Sequence, residues 1–198
     1  GSGGWNVLSA SCTLGHLGKN GHFEVPSGKT LKIKKDPTMA GELVIDRQAT
    51  SSNIGRHFKV SGTLNVEGVT LTGGYMRGHG GAVSVNGGSA IFTSCTLSGN
   101  TAEWGHAGNG GAVYVDGGSA IFSSCTLSGN TAKYGGGAVY VNGGSAIFSS
   151  CTLSGNTAPS QGGAVAVYNW GSFPGGSAAT FVDCLTTTRE RTQIIDGY

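Results

Sequence analysis

Chemistry-bearing side chains gather in three neighbouring stretches: Tyr75, Arg77 and His79, then Trp104 and His106, then Tyr134. Histidine carries a proton near neutral pH, and arginine forks onto carboxylates and other oxyanions. Tryptophan and tyrosine supply flat apolar faces with a polar tip, a combination that stacks on sugar rings. His79 and His106 each precede a Gly-Gly-Ala-Val segment. Two readings are open: the residues cover a turn, or they form a binding surface for carbohydrate. Catalysis has weaker support. Glycoside hydrolysis needs two carboxylates across one bond, but Asp46, Asp116 and Asp183 fall at different points of the local sequence pattern, and Glu67 and Glu103 are placed in turns. No Gly-x-Ser-x-Gly elbow is present. No catalytic residue, metal ligand or cofactor is assigned.

The elements that must position these residues are repeats. Gly110–Ala132 reads GGAVYVDGGSAIFSSCTLSGNTA and recurs almost unchanged from Gly80 and from Gly136. Val83 to Val113 is 30 residues, while Val113 to Val139, Val139 to Val165 and Leu64 to Ala90 are 26 each. Short runs of Val, Ile, Phe and Leu alternate with Gly, Ser and Asn breaks, and helical periodicity is absent. A period of this length with short strands is that of a stacked solenoid. Glycine is 38 of 198 residues, but it sits at fixed points between apolar runs, which excludes a flexible linker.

Alternation sorts the side chains into columns. The first strand points Phe23, Phe58, Val83, Val113, Val139 and Val165 inward. The second points Leu31, Leu64, Ala90, Ala120, Ala146 and Ala179, then Ile33, Val66, Phe92, Phe122, Phe148 and Phe181. The third points Leu43, Val69, Cys95, Cys125, Cys151 and Cys184, then Ile45, Leu71, Leu97, Leu127, Leu153 and Thr186. The cysteine column reads as buried thiols or as a disulfide between neighbouring coils, since stacked strands lie about 4.8 Å apart. With neither Cys-x-x-Cys nor a suitably spaced His, a metal site is disfavoured. Asn100, Asn130 and Asn156 form a ladder in a turn, with Gly74 in their place one coil earlier; Asn and Gly share tolerance of a left-handed backbone.

Outward positions of the third strand carry Thr70 and Thr72, Thr96 and Ser98, Thr126 and Ser128, and Thr152 and Ser154. Their mesh is about 4.8 Å by 6.7 Å. Hydroxyl side chains are ordinary on an exposed sheet, yet this array is similar to the Thr-Xaa-Thr faces of β-solenoid antifreeze proteins, and ice binding is a further alternative. Ile91, Ile121 and Ile147 make an outward aliphatic stripe that wants a cover. The insertion at residues 168–176 and the C-terminal tail are the two candidates.

GGAVYV followed by GGSAIFSSCTLSGNTA resembles the repeats of right-handed parallel β-helix proteins of the pectate-lyase-like superfamily. The GGA-[IV] plus SGNTA pairing is similar to repeats of chlamydial polymorphic outer-membrane proteins and related surface β-helices. The resemblance implies an all-β fold: one right-handed parallel β-helix of about six coils with three parallel sheets. Residues 1–21 are expected to be a cap or partial coil, 22–186 the β-helix, and 187–198 a closing tail. The leading Gly1-Ser2-Gly3-Gly4 is read as an appended segment. The superfamily contains lyases, hydrolases, epimerases and inert shafts, so fold does not name activity.

Charged residues are 11% of the chain, against roughly 25% in ordinary domains, and the net charge is +2. The one basic cluster, Lys29, Lys32, Lys34 and Lys35, lacks interleaved aromatics, so nucleic acid is not expected as a partner. No apolar run reaches about 18 residues, so no membrane span is expected. The expected role is a non-catalytic structural or binding module at a cell surface or outside the cell, with a polysaccharide or another surface macromolecule as partner. The alternative is a carbohydrate-active enzyme.

Overall fold

The computed structural model describes residues 4–13, 21–105, 108–169, 176–186 and 192–196. Each short apolar run forms a strand that pairs in parallel with its counterpart one repeat later, so the chain winds as a β-solenoid. The first face stacks Gly21–Val25, Gly55–Val60, Val83–Asn86, Val113–Ser123, Val139–Ser149, Val165–Asn169 and Thr192–Asp196. The third stacks Cys12–Thr13, Leu43–Asp46, Val69–Thr72, Thr96–Ser98, Thr126–Ser128, Thr152–Ser154 and Leu185–Thr186. The second runs from Asn6–Leu8 to Ser177–Val182. Val113–Ser123 and Val139–Ser149 pass through the corner unbroken and serve both the first and second faces. Three parallel faces are thus present, with the first two fused. A small ladder that alternation does not reveal joins them: Tyr75–Met76, Thr101–Ala102 and Thr131–Ala132.

The inward columns match the alternation. Val83 pairs with Phe58 and Val113, Ala120 with Ala90 and Ala146, and Leu127 with Leu97 and Leu153. Phe92, Phe122, Phe148 and Phe181 stack with centroids 5.1, 4.8 and 4.7 Å apart. Each buried large apolar side chain contributes about 1.5–3 kcal/mol, so the inward columns together, which form one core cluster, are the main stabilising element. Cys95, Cys125 and Cys151 are buried free thiols, and Cys184 is a half-buried one. Of the inward residues, Thr186 is exposed at the far end, and at the near end so is Phe23, at 44%. It tops the first face, and above it the described residues supply only Asn6–Leu8 and Cys12–Thr13. Cys12 pairs with Ile45, not Leu43, so its resemblance to the later Cys-Thr-Leu is out of register by two residues.

The asparagine ladder is buried and continuous. The Asn100 side-chain amide donates to Leu71 O and to Asn130 Oδ1, both at 3.1 Å. The Asn130 amide donates to Leu97 O and to Asn156 Oδ1, both at 2.9 Å. Gly74 N donates to Asn100 Oδ1 at 2.9 Å, closing the ladder where no Asn is available. The left-handed backbone is not on the asparagines. It falls on the preceding Gly99, Gly129 and Gly155, and at another corner on Ser94, Ser124 and Ser150 (φ 51 to 53°). The asparagines are there for their side-chain hydrogen bonds.

Two further expectations change. Glu67 ends the strand Thr63–Glu67 and is not in a turn. The tail segment Thr192–Asp196 pairs with Val165–Asn169 and extends the first face, so it does not cover the isoleucine stripe. Residues 170–175, the other candidate cover, lie outside the described residues.

At the start of the first face, His57 N and Phe58 N both donate to Ala82 O. The same double donation recurs from Ala82 and Val83 to Ala112 O, and from Ala112 and Val113 to Ala138 O. This bulge flips the side-chain parity. It turns His57 inward, where it is fully buried beside Phe58 with Nε2 3.0 Å from Ile45 O.

Asn130→Ala leaves the buried Asn100 N–H without its acceptor and removes the amide that donates to Leu97 O and Asn156 Oδ1. The expected loss is about 2–4 kcal/mol, read as a lowered urea midpoint, while the outward Thr126→Ala changes stability by less than about 1 kcal/mol. Burial pushes the His57 imidazole down to about 4, against about 6.5 in the unfolded chain. Between those values the unfolded chain binds the extra proton, so stability is full above pH 6.5 and falls as pH drops to 4, by about 3 kcal/mol in all. Urea midpoints against pH should show that slope, and His57→Gln should flatten it; an unchanged slope in the variant contradicts the assignment.

Candidate functional site

The site forms where the third face hands over to the first. Thr101 pairs with Tyr75 and Ala102 with Met76, so the outgoing limbs of two coils are held side by side. Beyond them the chain lengths differ: the coil from Val83 to Val113 takes 30 residues and the next takes 26. The longer limb carries Glu103 and Trp104. Glu103 N donates to Met76 O at 2.8 Å, which fixes the start of the excursion. The Tyr75 hydroxyl donates to the Glu103 carboxylate. That carboxylate raises the Tyr75 phenol above its ordinary ionisation range, with burial adding to the effect.

Trp104 is then held out at the rim, 61% exposed. Under it lies an open cleft of about 810 Å³ lined by Thr50, Ser51, Tyr75, Arg77, Glu103, Trp104 and Gly105. Thr50 belongs to a tight turn closed by reciprocal Thr50 and Asn53 backbone hydrogen bonds, 3.1 and 3.2 Å long. The lining thus combines an aromatic plate, a phenol paired with a carboxylate, a guanidinium and two hydroxyl side chains. These are the groups that bind a polyhydroxylated ring: apolar stacking on one side, mixed donors and acceptors on the other.

A second cleft of about 430 Å³ shares Arg77 and Trp104 and runs onto the outer side of the first face. Its wall is an aromatic stack: His79 on Tyr114 with centroids 4.4 Å apart, and Tyr114 on Tyr140 at 5.9 Å. Tyr114 and Tyr140 face outward by alternation, yet they are buried. A Cβ at Gly135 would lie 3.0 Å from the Tyr140 ring, so the turn before the first face closes over it. Burial pushes the Tyr114 phenol up to about 12. Burial lowers the His79 imidazole, and the nearby Arg56 lowers it further.

The residues singled out from sequence separate as follows. Tyr75, Arg77 and Trp104 line the first cleft, and Arg77, His79 and Trp104 the second. Tyr134 lines neither. Its amide donates to Gly108 O at 2.8 Å, and its hydroxyl lies 3.4 Å from Gln161 Nε2. His106 lies outside the described residues. Among the described residues no hydrogen bond joins Arg77 to His79. The hydroxyl array is in register: Thr70, Thr96, Thr126 and Thr152 pair in one column, and Thr72, Ser98, Ser128 and Ser154 in the next, all half-exposed.

Sequence reasoning missed Thr50, Ser51, Arg56, Ser84, Asn86, Glu103, Tyr114 and Asp116 as lining residues. Tyr114 was within reach, because it stands between two inward valines. Arg56 was not: simple alternation from Phe58 turns it inward, and only the bulge at His57 and Phe58 places it outside.

The family model described as the right-handed beta helix region matches residues 38–185. No curated protein and no solved structure matches the chain. Among the described residues no helix is long and apolar enough to cross a membrane.

Proposed function

This chain belongs to the right-handed β-helix family, and on that footing we propose that it is a non-catalytic binding module that holds carbohydrate at a cell surface or outside the cell. The observation that carries the reading is Trp104: a large aromatic side chain, 61% exposed, held over a cleft whose other walls are Tyr75, Glu103, Arg77 and two hydroxyl residues. An exposed tryptophan on a coil lengthened by four residues serves the core in no way, since the neighbouring coils close without it. Binding is favoured over turnover because the carboxylate of each cleft is already engaged by a neighbouring side chain. Tyr75 engages Glu103, and Asn142 engages Asp116 at 3.1 Å.

A glycan array probed with the labelled protein should show retention on a defined sugar class. Trp104→Ala should weaken that retention about tenfold without altering the unfolding midpoint. Retention that survives Trp104→Ala removes this cleft from the reading. Release of shorter sugars from the retained glycan returns the enzyme alternative.

A second reading rests on a separate observation. Eight hydroxyl side chains stand in register on a parallel sheet, and no charged residue interrupts the rows from Thr96 to Ser154 on that face. Such a regular, uncharged mesh suits an ordered water lattice. Thermal hysteresis that disappears in Thr126→Tyr is the expected result on this reading, and its absence in the parent protein ends it.

A further inference from the structure

Arg56 is the unexplained residue of the second cleft. It begins the first face at the level of Gly55–Val60, and the bulge at His57 and Phe58 turns it outward. Its Nε is buried without a hydrogen-bond partner, and no ion pair among the described residues includes it. Burial lowers its ionisation to about 10, which leaves the guanidinium charged at neutral pH. A mostly buried cation lacking a carboxylate keeps an unmet demand for negative charge.

The surroundings supply donors. Arg77 lines the same cleft, and so does His79, whose Nδ1 is also buried and unpartnered. Ser84 Oγ donates to Asn86 Oδ1 at 2.9 Å, which leaves the Asn86 side-chain nitrogen free to donate elsewhere. Gly78 adds no side chain, and a Cβ there would meet nothing closer than Met76 Cγ at 3.8 Å, so the space is open. The opposing charge is Asp116. It stands two levels along the axis from Arg56 and is displaced toward the far end of the strand, at the register of Asn86, and its Oδ1 already accepts from the Asn142 amide at 3.1 Å. Glu103, in the adjoining cleft, is engaged by Tyr75.

We infer that Arg56, with Arg77, Asn86 and His79, forms a binding site for one anionic group — a sulfate or phosphate ester or a carboxylate — beside the cleft under Trp104. A guanidinium with free N–H groups grips two oxygens of such a group at once. The inference uses the carbohydrate reading only to say what molecule would carry the anion. The anion site stands without it.

The test is NMR of the full ¹⁵N-labelled chain, following arginine Nε–H resonances as sodium sulfate, phosphate or acetate is added against sodium chloride at equal ionic strength. The Arg56 signal, identified by its loss in Arg56→Gln, should move and saturate with at least one oxyanion and not with chloride. Arg56→Lys keeps the charge and removes the fork, and should weaken binding about tenfold, read from the other shifting resonances. Asp116→Asn should tighten it several-fold. Saturation by acetate as well as sulfate assigns carboxylates to the site; saturation by sulfate and phosphate alone assigns esters. No saturable shift, or undiminished binding in both Arg56→Gln and Arg56→Lys, overturns the inference. A blank glycan array with a saturating sulfate shift discards the carbohydrate reading and keeps the anion site. A glycan hit with no oxyanion shift does the reverse.

Discussion

Everything in this molecule depends on one constraint: each coil must present its backbone N–H and C=O groups to the next at the spacing of a parallel sheet. Strands meet that requirement on the faces, and the corners need something else. At one corner the requirement is met by the side-chain amides of Asn100, Asn130 and Asn156. Each reaches back to the preceding coil's leucine carbonyl, and Asn100 and Asn130 also reach on to the next asparagine. At the corner before the first face the answer is to remove the side chain. A Cβ at Gly111 would lie 2.1 Å from Gly137 O, closer than any side chain tolerates. Buried backbone groups left unpaired are costly, so these positions are repeated with little variation.

The same constraint explains where variation is permitted. Inward columns must fill the core at every level, which leaves Val, Ala, Phe, Cys and Leu little room to change. Outward positions are free as long as the strand still pairs. The limb between the small Thr101–Ala102 ladder and the next first-face strand is freer still, because it leaves the stack and comes back. It can lengthen from coil to coil without disturbing a single column. The four extra residues around Trp104 use that freedom, and the cleft is what remains between a long limb and its shorter neighbours.

Charge follows the same division. The repeated coils between Gly80 and Ala158 carry Glu103, Asp116 and Lys133 as their ionic residues, all on or beside the limb that varies. The second and third faces of these coils present Ser, Thr and Ile. Electrostatics in the central coils is therefore concentrated on one side of the solenoid, where the low density of competing charges leaves each group's field weakly compensated. Arg56 lies at the edge of that region, with aromatic rings and amides around it.

The winding, the period and the inward columns were legible in the amino-acid order, because a stacked repeat makes every level report the same side-chain alternation. That order also disclosed Tyr75, Arg77, His79 and Trp104 as residues that break the repeat on one side. It did not disclose their partners, since Glu103, Thr50 and Arg56 come from limbs whose paths the repeat does not govern. A bulge repeated along one face reversed the parity at Arg56 and His57, turning an outward-looking histidine into a core residue and an inward-looking arginine into a cleft wall. These placements follow from the folded coils. Register between coils and the course of the unequal turns are properties of neighbouring chain segments together, and no single segment carries them.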